Sequence, residues 1–164
     1  MDIRFAGNGK VLIDNARITW RNFAGRRDDY NRNGEREFHV IVDDPDIAEE
    51  LMARGCNMRI KQSEDPNEPP RMSFKVKVSY RFGEPAVYLD NGRNVVSLTE
   101  SSIGNLDRID IDRVDLDIYF GKEWTVNGKT ARTAYLDKIM VVQSVDRFRT
   151  RFAEEEYPSE MPFN

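Results

Sequence analysis

Apolar and polar side chains alternate strictly through residues 71–82, RMSFKVKVSYRF. Met72, Phe74, Val76, Val78, Tyr80 and Phe82 fall on one side of an extended strand, and Ser73, Lys75, Lys77, Ser79 and Arg81 fall on the other. A helix would scatter the same apolar residues round its axis, so the period predicts a strand with one face in a core and one wet, basic face. Such a strand suits one stave of a small barrel whose outer wall carries cations toward an anionic ligand. It equally suits a half-buried antiparallel strand with lysines added for solubility.

The rest of the chain reads as further strands. Residues 10–20, KVLIDNARITW, form one, with a bulge expected at Asp14-Asn15, and residues 35–42, EREFHVIV, return beside it. Between them, residues 21–34 make a loop rich in Gly, Asn and Asp, with turn chemistry at Asn33-Gly34. Asp44-Pro45-Asp46 opens a short helix whose apolar stripe is Ile47, Ala48, Leu51 and Met52, and Gly55 is its expected stop. Strands follow at 56–62, 86–89 and 94–98, then a helical turn within 99–106, then a strand in which Val114, Leu116, Ile118 and Phe120 alternate with polar residues. Asn127-Gly128 is a strong hairpin signal joining 122–126 to a long last strand, 130–143. Many hairpin-linked strands, one helix and no βαβ alternation predict a mainly β fold, economically an OB-fold-like antiparallel barrel with long hairpin extensions. A β-sandwich is the alternative.

Composition narrows the class. A chain of 164 residues is one domain with room for a core. The single Cys56 excludes an internal disulfide and a multi-cysteine zinc site. No apolar run reaches the length of a membrane span, and MDIRFAGNGK has no signal-peptide core, so a cytoplasmic location without membrane contact is expected. The net charge of −4 is localised. Four glutamates and no Lys or Arg stand in the last eleven residues, leaving the body balanced. The expected division is therefore a nucleic-acid-binding body, residues 1–152, and an acidic tail, residues 153–164. Oligomeric state is left open, a homodimer included.

Catalytic patterns are sparse. His39, the one histidine, alternates with Phe38 and Val40 and has no GxSxG elbow to serve. Asp107, Asp110, Asp112, Asp115 and Asp117 can be read as Mg²⁺ ligands of a nuclease, but their spacing fits no EF-hand loop and better fits a solvated sheet face. Walker A, dinucleotide GxGxxG and HExxH patterns are missing. No enzyme, metal or cofactor is predicted. The acidic run 107–117 supports a competing reading, a protein-interaction or inhibitor module.

The loop after residue 20 is more informative. Arg17, Arg21, Arg26, Arg27, Arg32 and Arg36 face only Asp28, Asp29 and Glu35, with Trp20, Phe23 and Tyr30 interleaved. Single-stranded nucleic acid exposes a charged backbone and flat base faces, so its groove needs cations and stacking rings together. Phosphate contacts are expected from Arg21, Arg26, Arg27, Arg32, Lys75, Lys77 and Arg81, and stacking from Trp20, Phe23, Tyr30 and Tyr80. Tyr80 is the outlier, because its parity puts it on the core side.

After Arg147, Phe148, Arg149, Arg151 and Phe152 the sequence changes abruptly to AEEEYPSEMPFN. Glu154, Glu155, Glu156 and Glu160, with the tip Met161-Pro162-Phe163, resemble the acidic tail of bacterial and phage single-stranded-DNA-binding proteins, which have an OB-fold body and often end in Ile-Pro-Phe. Here Glu replaces Asp, Tyr157-Pro158-Ser159 interrupts the acids, and Asn164 follows Phe163. The early GKVLIDNARITW strand, the irregular arm and the strand ending at Asp-Pro are also similar to small phage members. The resemblance implies single-stranded DNA as ligand in replication or recombination. It also implies a tail that recruits partner proteins or competes with DNA for the cationic groove.

Overall fold

The fold is that of a computed structural model, which describes residues 1–145. The tail residues Glu154, Glu155, Glu156, Glu160, Met161, Pro162 and Phe163 lie outside the described residues, as does the basic run 147–152 before them. Ten strands share one sheet: β1 (Asp2–Phe5), β2 (Lys10–Asp14), β3 (Arg17–Asn22), β4 (Arg36–Val42), β5 (Met58–Lys61), β6 (Arg71–Val78), β7 (Ala86–Asp90), β8 (Val95–Leu98), β9 (Ile111–Val126) and β10 (Lys129–Gln143). One α-helix, α1 (Pro45–Ala53), follows β4, and a 3₁₀ turn spans Ile103–Asp107. The mainly β, one-helix expectation holds.

The main path runs β1-β2-β9-β10-β6-β4-β3, with β5 added to β6 and β7-β8 added to β10. Its end strands, β1 and β3, do not pair, so the sheet is not closed by hydrogen bonds. Nor is it purely antiparallel. β10 runs parallel to β6 at Ala134 and Tyr135, then parallel to β7 over residues 138–142.

Inward side chains of β2, β4, β6, β7, β9 and β10 meet in one cluster with Ala48 and Leu51 of α1 and Ile103 and Leu106 of the 3₁₀ turn. Phe38, Phe74 and Ile118 are among its fully buried members, each contributing about 1.5–3 kcal/mol of burial. The alternation read at 71–82 holds as far as Val78. There β6 ends, and Phe82 beyond it is exposed.

Helix α1 starts as its sequence predicts. Asp44 accepts a hydrogen bond from the Asp46 amide and Pro45 occupies the first turn, where its missing N–H costs nothing. Gly55 ends it at φ +97°, and the Gly55 carbonyl accepts from the Arg132 amide at 2.7 Å, tying the helix end to β10.

Candidate nucleic-acid interface

Outside this core, β3, β4, β6 and β5 present a second, polar face. Their register sets Arg17 beside Ile41, Ile41 beside Ser73 and Ser73 beside Arg59; one row on, Thr19 lies beside His39 and His39 beside Lys75. Trp20 stands over this face because of a local irregularity. Between Thr19 and Asn22, β3 carries one residue more than β4, and Trp20 takes φ +49°. A left-handed conformation costs a bulky side chain about 1–2 kcal/mol, so the surroundings must hold it there. The indole is nevertheless 59% exposed. Its edge meets the His39 ring at 4.9 Å and 83°, and the Arg59 guanidinium lies over its face at 4.9 Å. An aromatic ring on a strained backbone, largely in solvent and braced by a cation, is built to receive a flat partner.

Trp20 lines a cleft of about 670 Å³ with Arg17, Thr19, Ile41, Arg59, Lys61, Arg71 and the 68–70 segment of the β5–β6 loop. A second cleft, about 390 Å³, lies on the other side of Lys75, between β6 and the β9–β10 hairpin. Lys75, Lys77, Cys56, Asn57, Trp124, Val126 and Thr133 line it.

The cations of this face have acidic neighbours. Lys75 pairs with Glu37 at 3.1 Å, Lys77 with Glu35 at 3.3 Å and Arg17 with Asp43 at 3.4 Å. Partly exposed pairs of this kind are worth roughly 0–1 kcal/mol, so a phosphate can displace the carboxylate at small cost. Burial holds the His39 imidazole below its usual range, with Lys75 and Arg59 adding to the effect and Glu37 opposing it. Its Nδ1 is buried without a hydrogen-bond partner.

The arm between β3 and β4 is an ordered loop. Asn22 accepts from the Arg26 amide at 2.7 Å and donates to the Arg26 carbonyl at 3.1 Å. Asn31 donates to the carbonyls of Arg26 and Glu35 and accepts from the Glu35 amide, each at 2.9 Å. At the neck, Gly25 has φ +70° and Gly34 φ +68°, and a Cβ on Gly25 would sit 2.7 Å from the Gly34 carbonyl oxygen. Only glycine permits that crossing. Asp28 accepts from the Tyr30 and Asn31 amides, turning the tip so that Tyr30 is fully exposed. Arg26, Arg27 and Arg32 are exposed on the same arm.

Several expected site residues sit elsewhere. Phe23 is completely buried and stacks on Phe38 at 5.1 Å, so its ring has no face to offer a base. Its amide and that of Ala24 donate to Asp107, which fixes the start of the arm. Arg21 turns inward and donates to the carbonyls of Leu106 and Ile109 at 2.7 and 2.8 Å, a structural bond rather than a phosphate contact. Tyr80 packs on the core under the Arg36 guanidinium with its hydroxyl buried, and burial raises its pKa. It is no stacking platform. Trp20, Lys75 and Lys77 come together on one surface, with Arg26, Arg27, Tyr30 and Arg32 on the arm beside it. Arg81 is exposed just beyond the end of β6.

Arg59, Lys61, Arg71 and Trp124 join the clefts without belonging to the cationic, aromatic arm that marks the site in sequence. The first two are accessible to sequence reading, since Arg59 and Lys61 share one parity of a predicted strand. The aspartate run serves the fold. Asp107 holds the arm, and Asp115 accepts from the Asn15 amide and pairs with Arg113. Among the described residues no group of three His, Cys, Asp or Glu is placed to hold a metal ion, and no helix is long and apolar enough to cross a membrane.

Three solved structures of a single-stranded-DNA-binding protein from bacteriophage Enc34 share this fold. One structure of it aligns at TM-score 0.55 and 11% identity, over 96% of this chain and 94% of that one. Its C-terminal truncation aligns at 0.54 and 11%, over 88% and 91%. Its complex with ssDNA aligns at 0.57 and 12%, over 89% and 93%. No curated protein matches. The family model described as "Putative phage ssDNA-binding domain" matches residues 4–161, nearly the whole chain, and the chain belongs to that family.

Proposed function

We propose that this chain binds single-stranded DNA across the outer face of β3, β4, β6 and β5, without catalysing a reaction on it. The observation that carries the reading is Trp20, exposed on a strained backbone and braced by Arg59 and His39 within reach of Lys75. Bases stack on the indole, while Arg17, Arg59, Lys61, Lys75 and Lys77 follow the phosphates. The arm lends Arg26, Arg27, Arg32 and the fully exposed Tyr30. Family membership supports this reading, as does the ssDNA complex of the Enc34 protein.

Work in the host cytoplasm during phage replication or recombination follows from the same reading. The acidic tail is proposed to recruit partner proteins through Met161-Pro162-Phe163, or to compete with DNA for the groove.

Titrating the intrinsic tryptophan emission with oligo-dT and oligo-rU at two salt concentrations tests the function. Expected is quenching by oligo-dT, with log affinity falling by about 0.7 per phosphate contact for each unit of log salt. No quenching and no shift of a labelled oligo-dT at low salt would overturn it.

A further inference from the structure

The smaller cleft is not needed for the Trp20 contact, yet it has the chemistry of a base-binding site. Trp124 and Val126 come from the far part of the β9–β10 hairpin, where Trp124 pairs with Ala131. The Trp124 indole is fixed by a 3.1 Å hydrogen bond from its Nε1 to the Thr133 hydroxyl. Opposite stand Lys75 and Lys77, and Asn57 adds an amide at the rim. An apolar ring wall, two ammonium groups and an exposed amide are what an unstacked base with its phosphate asks of a protein. Arg132 lines the cleft too but is committed elsewhere. Its guanidinium donates to the Gly121 and Phe120 carbonyls at 2.7 and 3.1 Å.

Lys75 belongs to this cleft and is also the register partner of His39, which touches Trp20. The two clefts therefore lie on either side of one lysine. From β3, which carries Trp20, to β9, which carries Trp124, is four inter-strand spacings, roughly 19 Å. A stacked strand advances about 3.4 Å per nucleotide, so only a strand of several nucleotides reaches both.

We infer that the cleft between β6 and the β9–β10 hairpin is a second base-binding subsite, in which Trp124 receives a base of the same strand that stacks on Trp20. This inference rests on the proposed single-stranded-DNA binding and adds to it a two-station path with Lys75 between the stations.

The chain holds two tryptophans, Trp20 and Trp124, so each can be watched alone. In Trp20→Phe protein, saturating oligo-dT of about twelve nucleotides should quench the remaining Trp124 emission, while one of about four nucleotides should quench it far less. Trp124→Ala should weaken the longer oligonucleotide about tenfold and leave the shorter one nearly unchanged. Thr133→Val, which keeps the ring and removes its hydrogen-bond acceptor, should cost less than Trp124→Ala. Binding is followed independently by anisotropy of a labelled oligonucleotide. If the wild-type protein shows no anisotropy change, the function itself fails. If it binds, and Trp124 emission and the Trp124→Ala affinity for the longer strand stay as they were, the second subsite is refuted.

Discussion

Trp20 stands edge-on to His39, their ring centroids 4.9 Å apart at 83°. The contact joins the proposed stacking platform to the one histidine of the chain, which lies beside Lys75 on β6 and feels the charge of Arg59 on β5. Among the described residues Glu37 is the carboxylate that acts on it, and it does not outweigh burial. Burial thus lowers the pKa of His39 in the folded protein.

That shift has a consequence for stability. The unfolded chain takes up a proton near pH 6.5, before the folded protein does. Stability from this group is therefore fully present above pH 6.5 and lost as the pH falls below it. Urea midpoints measured between pH 7.5 and 5 should decline, and His39→Phe should flatten that part of the curve. An identical slope in the variant would assign the decline to other groups.

Trp20→Gly separates backbone from ring. Glycine accepts φ +49° without strain, which returns about 1 kcal/mol and offsets the lost contacts with His39 and Arg59. The melting temperature should stay near that of the wild type, while affinity for oligo-dT falls about tenfold. A loss of fold with affinity preserved per folded molecule would instead make Trp20 structural.

Removing a counter-charge should act in the opposite direction. Glu37 holds Lys75 at 3.1 Å, and Glu37→Gln leaves that ammonium group to a phosphate. Affinity should rise about three- to tenfold at low salt, and the gain should shrink as salt screens it. Equal or weaker binding at low salt would show that Lys75 does not face the ligand.

The arm depends on Asn31. Asn31→Ala removes two bonds from its side chain to backbone carbonyls and one accepted from the Glu35 amide. Faster hydrogen exchange at Glu35 is expected, with a small change in melting temperature because Asn31 is no part of the core cluster. Affinity should fall several-fold, since an unordered arm must be fixed on binding.

Deleting residues 154–164 removes four glutamates from a protein of net charge −4. If the tail competes for the groove, oligo-dT affinity at low salt rises in the truncated protein. Unchanged affinity would leave the tail to partner recruitment alone.

Much of the fold was legible because burial on one side of a strand imposes a period of two. Met72 to Val78, Phe38 to Val42 and Val114 to Ile118 show that period without interruption, and Asn127-Gly128 marks its hairpin. The site was harder to read. Ile18 and Trp20 have the same parity, so a regular strand would place both in the core. The extra residue after Thr19 and the left-handed Trp20 break that parity, and neither is visible in residue types. The same break carries Phe23 inward, to Phe38. Arg21 and Tyr80 sit apart from the face their sequence suggests, because an arginine that bonds carbonyls, and a tyrosine packed on a core edge, look in sequence like their surface counterparts. The place of Trp124 is not legible in sequence, because its strand partner shifts register between Arg132 and Ala134.

β10 carries β9 on one edge and β6, then β7, on the other. During synthesis, residues 71–78 and 86–90 leave the ribosome long before residues 134–142 exist to join them. The nascent chain therefore waits with 76–77 of β6 and 86–90 of β7 unpaired on the edges that β10 will take, and Thr133, which holds the Trp124 indole, arrives last. A chain stopped short of β10 lacks Ala134, Leu136, Ile139 and Val141 of the core and the Thr133 hydroxyl, so a truncated product should neither complete this sheet nor fix its second indole.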